Sequence, residues 1–268
     1  MGDPPGPRAA AFLDLDRTVL STASPLVLAR PLLASGLLSR SAVLRAAAAD
    51  LRSLFVRADR RYSAEAQAQL AGMVEGWDVR RFAEVVDGSL RTVVRPRVYR
   101  EAIDLIAALH GRGIDVVIVS ASSADVVRPI ARMLGADDVV ASTMEVADGR
   151  FTGRVAHFVY GAAKAEAIRD LAARRGYELG ACAAYSDSVT DLPMLTTVGH
   201  PVAVNPDRAL RRLARQRGWE VRRFRRPVPL RHEVSGVVGA TAVGLVLVLA
   251  ALGRHALRRA RRRAGSTG

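Results

Sequence analysis

Two aspartates stand two positions apart in Phe12-Leu13-Asp14-Leu15-Asp16-Arg17-Thr18-Val19, directly after the apolar run Ala9 to Leu13. The run reads as a short buried strand, so both acids fall where a strand gives way to a loop. Alternate side chains of an extended segment point the same way, which lets Asp14 and Asp16 enter one site while Leu13 and Leu15 pack elsewhere. Carboxylates that close repel each other and need a divalent cation, a shared proton or solvent between them. On this stretch alone, a surface Asp-Leu-Asp turn explains the pattern equally well.

Three later stretches shift the balance. Ser120 ends the β-branched run in Val117-Ile118-Val119-Ser120-Ala121-Ser122, Lys164 stands near the start of a helical stretch, and Asp187 and Asp191 lie in Tyr185-Ser186-Asp187-Ser188-Val189-Thr190-Asp191. Phosphoryl transfer to a carboxylate needs a nucleophile, an acid for the leaving group, charges for the phosphoryl oxygens and a metal. The chain offers each. Asp14 and Asp16 are the carboxylates, Thr18 brings a hydroxyl, Ser120 can donate to a phosphoryl oxygen, and Lys164 brings a mobile positive charge beside a helix N-terminus. Asp187 and Asp191 supply oxygen ligands of the kind Mg2+ prefers. Lys164 is the only lysine among 40 basic residues. Arginine and lysine exchange freely on a solvated surface, so its retention points to a site that needs a compact ammonium. Singly, Ser120 is explained as a strand end and Asp187 with Asp191 as a helix cap and a first-turn acid. Those explanations do not predict that all of them share one rim.

The elements that must position these residues follow an α/β order from Pro96 onward. Helices are expected over 97–112, 125–134, 162–175, 191–196 and 207–217, with Gly113, Gly135, Gly176 and Gly218 after four of them. Strands are expected over 115–119, 138–142, 181–185, 201–204 and 220–224, with a hairpin over 144–158 turning at Asp148-Gly149. Alternating helices and strands imply a Rossmann-like, mostly parallel sheet with helices on both faces, and ligands beyond the carboxyl ends of its strands. Asp14, Ser120 and Asp187 each stand at such an end. Between the first strand and this pattern, 24–95 shows only helical stretches, over 25–38, 41–56, 63–73 and 79–92. That is too long for a plain crossover and reads as an inserted all-helical cap. The catalytic core is thus 9–23 with 96–224, after a lead-in over 1–8.

Residues 221–268 hold eleven arginines against Glu233 alone, so ten of the fourteen net positive charges belong to a tail. The tail reads as a basic linker, 225–233, an uncharged stretch, Val234 to Gly253, and a basic end, 254–268. About 20 apolar residues span a bilayer as a helix, which makes 234–253 an expected C-terminal transmembrane helix. Met1 to Arg8 lacks the pattern of a secretory signal, so the expected location is the cell membrane, single-pass, with the catalytic part cytoplasmic. Gly236, Ala240 and Gly244 set small residues every fourth position, which allows a homodimer through the membrane helix. The flanking arginines suit anionic headgroups, not nucleic acid, because no aromatics alternate with them. The single cysteine, Cys182, excludes an internal disulfide and reads as buried packing. The five histidines show no metal-binding spacing and read as surface or packing residues.

These motifs, in this order, resemble the haloacid dehalogenase superfamily, in particular its subfamily IB hydrolases close to phosphoserine phosphatases. The resemblance spans about 9–223, and 24–95 lies where such enzymes carry a cap. It implies that Asp14 attacks phosphorus and becomes an aspartyl phosphate, while Asp16 protonates the leaving alcohol and then activates water. Mg2+ would be held by Asp14, the backbone carbonyl of Asp16, and Asp187, with Asp191 orienting the shell. Ser120 and Lys164 would hold the phosphoryl oxygens, and Thr18 would fix the loop. The chain departs from the family at Ala23, where phosphoserine phosphatases carry a glutamate for the substrate ammonium, at Ala121, and at Ser186, Ser188 and Thr190 around the last motif. Serine phosphate specificity therefore does not follow. A phosphorylated small molecule or a lipid phosphate is the expected substrate. The rival reading is a membrane-tethered, non-catalytic binder of phospho-ligands on the same fold.

Overall fold

The computed structural model describes residues 8–39 and 71–227. Strand β1 (Ala10–Asp14) is buried along its whole length. It lies at the centre of a seven-stranded sheet with β2 (Asp115–Ser123), β3 (Asp138–Ala147), β4 (Arg150–His157), β5 (Ala183–Ser186), β6 (His200–Val204) and β7 (Glu220–Arg222), in the order β4-β3-β2-β1-β5-β6-β7. All neighbours run parallel except β3 and β4. The crossovers use helices α3 (Arg100–His110), α4 (Ala124–Leu134), α5 (Ala162–Arg175), α6 (Leu192–Leu195) and α7 (Arg208–Arg217), preceded in the chain by α1 (Ser24–Ala34) and α2 (Val79–Ser89).

The alternation of β1 divides the core. Ala11 and Leu13 face one cluster with Ile118, Ile106 of α3 and Ile130 of α4; Ala10 and Phe12 face another with Val119, Ile168 of α5, Leu195 of α6 and Leu210 of α7. Both faces of the sheet are therefore covered, which is why its central strands read as continuous apolar runs instead of alternating ones. Burying each such large side chain contributes roughly 1.5–3 kcal/mol. Cys182 joins the second cluster, fully buried, with its Sγ accepting the Ala10 N–H at 3.3 Å.

Several boundaries differ from expectation. The stretches 138–142 and 144–147 form the single strand β3, which pairs with β2 over its first half and antiparallel with β4 from Thr143 onward, with register irregularities around Met144 at the apparent break. Asp148 and Gly149 turn that pair with φ of 50° and 74°, the left-handed backbone a tight hairpin demands. α2 ends at Ser89 and passes through a π-helical turn at Leu90–Val94 before α3 starts at Arg100. α1 and α2 bring Leu28, Leu32, Phe82 and Val86 into the same cluster as Leu13. Phe82 also meets Phe151 of β4 edge-on at 5.6 Å, and the backbones of Gly76, Trp77 and Val79 bond to Phe151 and Gly149.

The segment after β7 also differs. Arg225 and Arg226 donate their backbone N–H groups to Glu101 at 3.0 and 3.2 Å, and Arg100 N–H reaches the Arg226 carbonyl at 2.7 Å. Residues 225–227 are thus part of the globular unit, not of a linker. Among the described residues no helix is long and apolar enough to cross a membrane. The expected span 234–253 with its small-residue repeat, the basic tail 254–268, and the cap stretch 40–70 lie outside the described residues.

Candidate active site

The sheet order reverses beside β1: the chain moves from β1 out to β2 on one side and later returns to β5 on the other. Ligands gather at the carboxyl ends of strands at such a switch point. Asp14 closes β1 level with Val119 of β2, and Leu13 is level with Tyr185 of β5, so Ser120 and Asp187 emerge on either side of the two aspartates.

Lys164 reaches this rim from the first turn of α5. Its Nζ sits 2.6 Å from Asp14 Oδ1 and 2.9 Å from Asp191 Oδ2, and all three side chains are buried. Burial alone would lower the lysine's pKa, but the charges of Asp14 and Asp191 outweigh it and hold the ammonium above the usual lysine range. Burial pushes Asp14 up to about 7; Lys164 pulls the other way, and Asp191 and Asp16 add to the rise. Asp191 is also fixed by Ser186 Oγ at 2.7 Å. Asp187 is pushed up to about 6 by burial, against the pull of Arg17, whose Nε lies 3.1 Å from Asp187 Oδ2.

Asp16 has different neighbours. Its Oδ1 accepts the Ser24 N–H at 2.7 Å, and its Oδ2 accepts Ser122 Oγ at 3.0 Å and Ser24 Oγ at 3.3 Å. The second aspartate thus sits at the N-terminus of α1, where backbone N–H groups lack helical partners. Arg17, at φ 64°, turns the loop, and Val19 and Leu20 N–H both return to the Leu15 carbonyl. Thr18, expected to tie this loop, is buried with its Oγ1 unbonded among the described residues; the backbone does that work instead. Ser120 Oγ accepts the Ser122 N–H at 3.1 Å, and its own proton meets no acceptor among the described residues. That proton is available to a ligand.

The rim brings together Asp14, Asp16, Ser120, Lys164, Asp187 and Asp191, and Thr18 is buried in the loop after Asp16. Sequence reasoning missed Arg17, Ser24, Ser122 and Asp207. Ser122 lies two residues past Ser120 on an extended segment and so shares its side, but nothing local shows that it will meet Asp16. Asp207 caps α7 at Leu210 N–H, 2.8 Å away, accepts from Val189 N–H at 2.9 Å and donates its own N–H to the Asp187 carbonyl at 2.8 Å. Its expected place inside α7 hid that bracing role. His110 pairs with Asp137 at 2.9 Å on the surface, away from these residues in the chain.

Residues 11–196 match the haloacid dehalogenase-like hydrolase family. A probable phosphatase of Mycobacterium tuberculosis is 46% identical over 263 residues, covering 96% of this chain and 92% of the relative. A phosphoserine phosphatase of the same organism is 34% identical, covering 88% of this chain and 77% of its own length. Among solved structures, a Bordetella pertussis protein of unknown function is 30% identical with a TM-score of 0.71, covering 81% of this chain and 98% of that one.

Proposed function

Because the chain belongs to the haloacid dehalogenase-like hydrolases and is a phosphoserine phosphatase-like phosphatase among them, we propose that it hydrolyses a phosphate monoester by way of an aspartyl phosphate on Asp14. Asp14 Oδ attacks phosphorus as the bond to the leaving oxygen breaks, and Asp16 gives that oxygen its proton. Asp16 then takes a proton from water, which attacks the aspartyl phosphate, frees inorganic phosphate and restores Asp14. Ser120 O–H and the Lys164 ammonium hold the phosphoryl oxygens, and Asp191 with Ser186 holds the ammonium in place. The single observation that carries this reading is the buried ammonium shared at 2.6 and 2.9 Å by a strand-end carboxylate and a second acid.

The residues fit a divalent cation. Four carboxylates (Asp14, Asp16, Asp187, Asp191) meet two cationic side chains, Lys164 and Arg17, and burial raises Asp14 and Asp187 despite both. Among the described residues no three acid, histidine or cysteine side chains form a metal cluster, and the Asp16 backbone carbonyl would add an oxygen that two carboxylates alone do not supply. Asp14, Asp187 and the Asp16 carbonyl would hold Mg2+, which would supply positive charge toward the phosphoryl oxygens and keep Asp14 ionised.

Ala23 leaves no carboxylate there for a substrate ammonium, which favours other phosphate esters over serine phosphate. We place the enzyme at the cell membrane through 234–253, catalytic part cytoplasmic, where a lipid phosphate is within reach; the support is the uncharged stretch between arginine clusters. Asp14→Asn should abolish hydrolysis of a generic aryl phosphate in a chain that stays folded. Turnover at the wild-type level by that variant rejects the mechanism.

A further inference from the structure

A second polar feature lies one loop from the acids. Asn205, Pro206, Arg211, Arg215, Val221, Arg223 and Arg225 line an open cleft of about 410 Å³ at the β6–β7 edge. Arg211 and Arg215 are four residues apart on α7 and therefore share a face. Val221, Arg223 and Arg225 line the same cleft at and just after β7, with Phe224 between the two arginines turned into the core. Four arginines line this one cleft, and like charges four residues apart on a helix, as Arg211 and Arg215 are, destabilise one another unless something neutralises them.

Nothing described in the protein does. The ion pairs of this edge are Arg222 with Glu220 and Arg226 with Glu101, which leave the four cleft arginines without a carboxylate among the described residues. Among the described residues the Arg211 guanidinium bonds only the Pro206 carbonyl, at 3.0 Å. The cleft is also built to hold its shape. Asn205, in the left-handed region at φ 45°, donates Nδ2 to the Phe224 carbonyl and accepts the Phe224 N–H, both at 3.0 Å. Phe224 is buried between the two exposed arginines, and Glu101 receives the N–H of Arg225. The segment is pinned at both its backbone and its core side chain, so Arg223 and Arg225 project the same way.

We propose that this cleft is a docking site for the phosphate headgroups of an anionic phospholipid surface. Guanidinium forks suit phosphate oxygens, and basic side chains near an anionic bilayer are drawn to its negative surface. A nucleic-acid groove would interleave aromatics for base stacking, and none lines this one. A lipid surface is favoured over free phosphate by the chain that follows. The last described residue, Pro227, precedes the uncharged stretch 234–253 by only a few residues. The inference therefore rests on the membrane part of the proposed function, but not on the phosphatase chemistry.

The test uses the full chain in neutral detergent, presented to vesicles of phosphatidylcholine alone and of phosphatidylcholine mixed with phosphatidylglycerol. Wild type should favour the anionic vesicles, and R211Q/R215Q and R223Q/R225Q should each lose roughly tenfold of that preference. A tail variant, R262Q/R263Q, should lose clearly less, and all three should melt as wild type does. Equal losses in cleft and tail variants, or none in the cleft variants, overturn the proposal. So does displacement of the chain from anionic vesicles by millimolar inorganic phosphate at fixed ionic strength, or by a single-stranded oligonucleotide that outcompetes them. Binding to phosphatidylcholine alone reports separately on 234–253, and aryl phosphate hydrolysis in the same detergent reports separately on the catalytic reading.

Discussion

The acidic rim and the basic edge are joined by Asn205-Pro206-Asp207, yet they handle charge in opposite ways. At the rim, Asp14, Lys164, Asp187 and Asp191 are buried, so each charge depends on partners inside the protein. At the edge, the arginines are exposed, water supports them, and their partners can come from outside. Deep in the molecule, unpaired charge is expensive, by several kcal/mol per ion; at the surface the median pair contributes about 0–1 kcal/mol. The rim is therefore where substitutions should hurt, and the edge is where only a ligand would reveal them.

The sharpest test of that contrast is Asp14→Asn, expected to lower kcat at least a thousandfold, about 4 kcal/mol of barrier, in a burst and steady-state assay with aryl phosphate. Next, Lys164→Met strands Asp14 and Asp191 without their shared ammonium. It should cost about 3–5 kcal/mol of stability by urea melt as well as activity. The third test is pH. On the proposed reading Mg2+ would be held by the ionised forms of Asp14 and Asp187, whose pKa values are raised to about 7 and 6 by burial. The rise in Tm caused by Mg2+ should thus be full above pH 8 and shrink as pH falls through 7 and then 6. In the metal-free protein the sign reverses: both raised carboxyls contribute stability below their unfolded value near 3.8, and lose it as pH rises through 6 and 7. A Mg2+ response that grows on acidification would break this account. Ser122→Ala removes one hydrogen bond from Asp16 and should lower kcat about tenfold with little change in KM, read from initial rates. Smallest of all, Arg154→Ala on β4 removes an exposed pair with Glu145 and should leave both Tm and turnover as they were.

Much of the rim was legible because strand ends are easy to see. An apolar run followed by a polar residue marked Asp14, Ser120 and Asp187, and the α/β order alone brought them together. Lys164 stood out by being the only lysine. What the chain hid were partners set by long-range geometry: Ser24 and Ser122 meet on Asp16 although 98 residues separate them. Arg17 carried no role in the sequence reading, since no local pattern says that a positive-φ turn will bring its guanidinium to Asp187. Arg225 and Arg226 were assigned to a basic linker by their charge, and composition could not reveal that Glu101 fastens them to the fold. The stretch 143–144 looked like a break because an irregular strand pair blurs the period of two that marks a regular one.

The lone thiol offers a use of its own. Cys182 Sγ lies in the sheet's second core cluster and accepts a hydrogen bond from the first residue of β1, so no alkylating reagent can reach it while that strand is seated. Its labelling rate is a clock for the opening of the scaffold on which Asp14 stands. Ligands that stop the clock act on the whole domain, and ligands that leave it running act only on the surface.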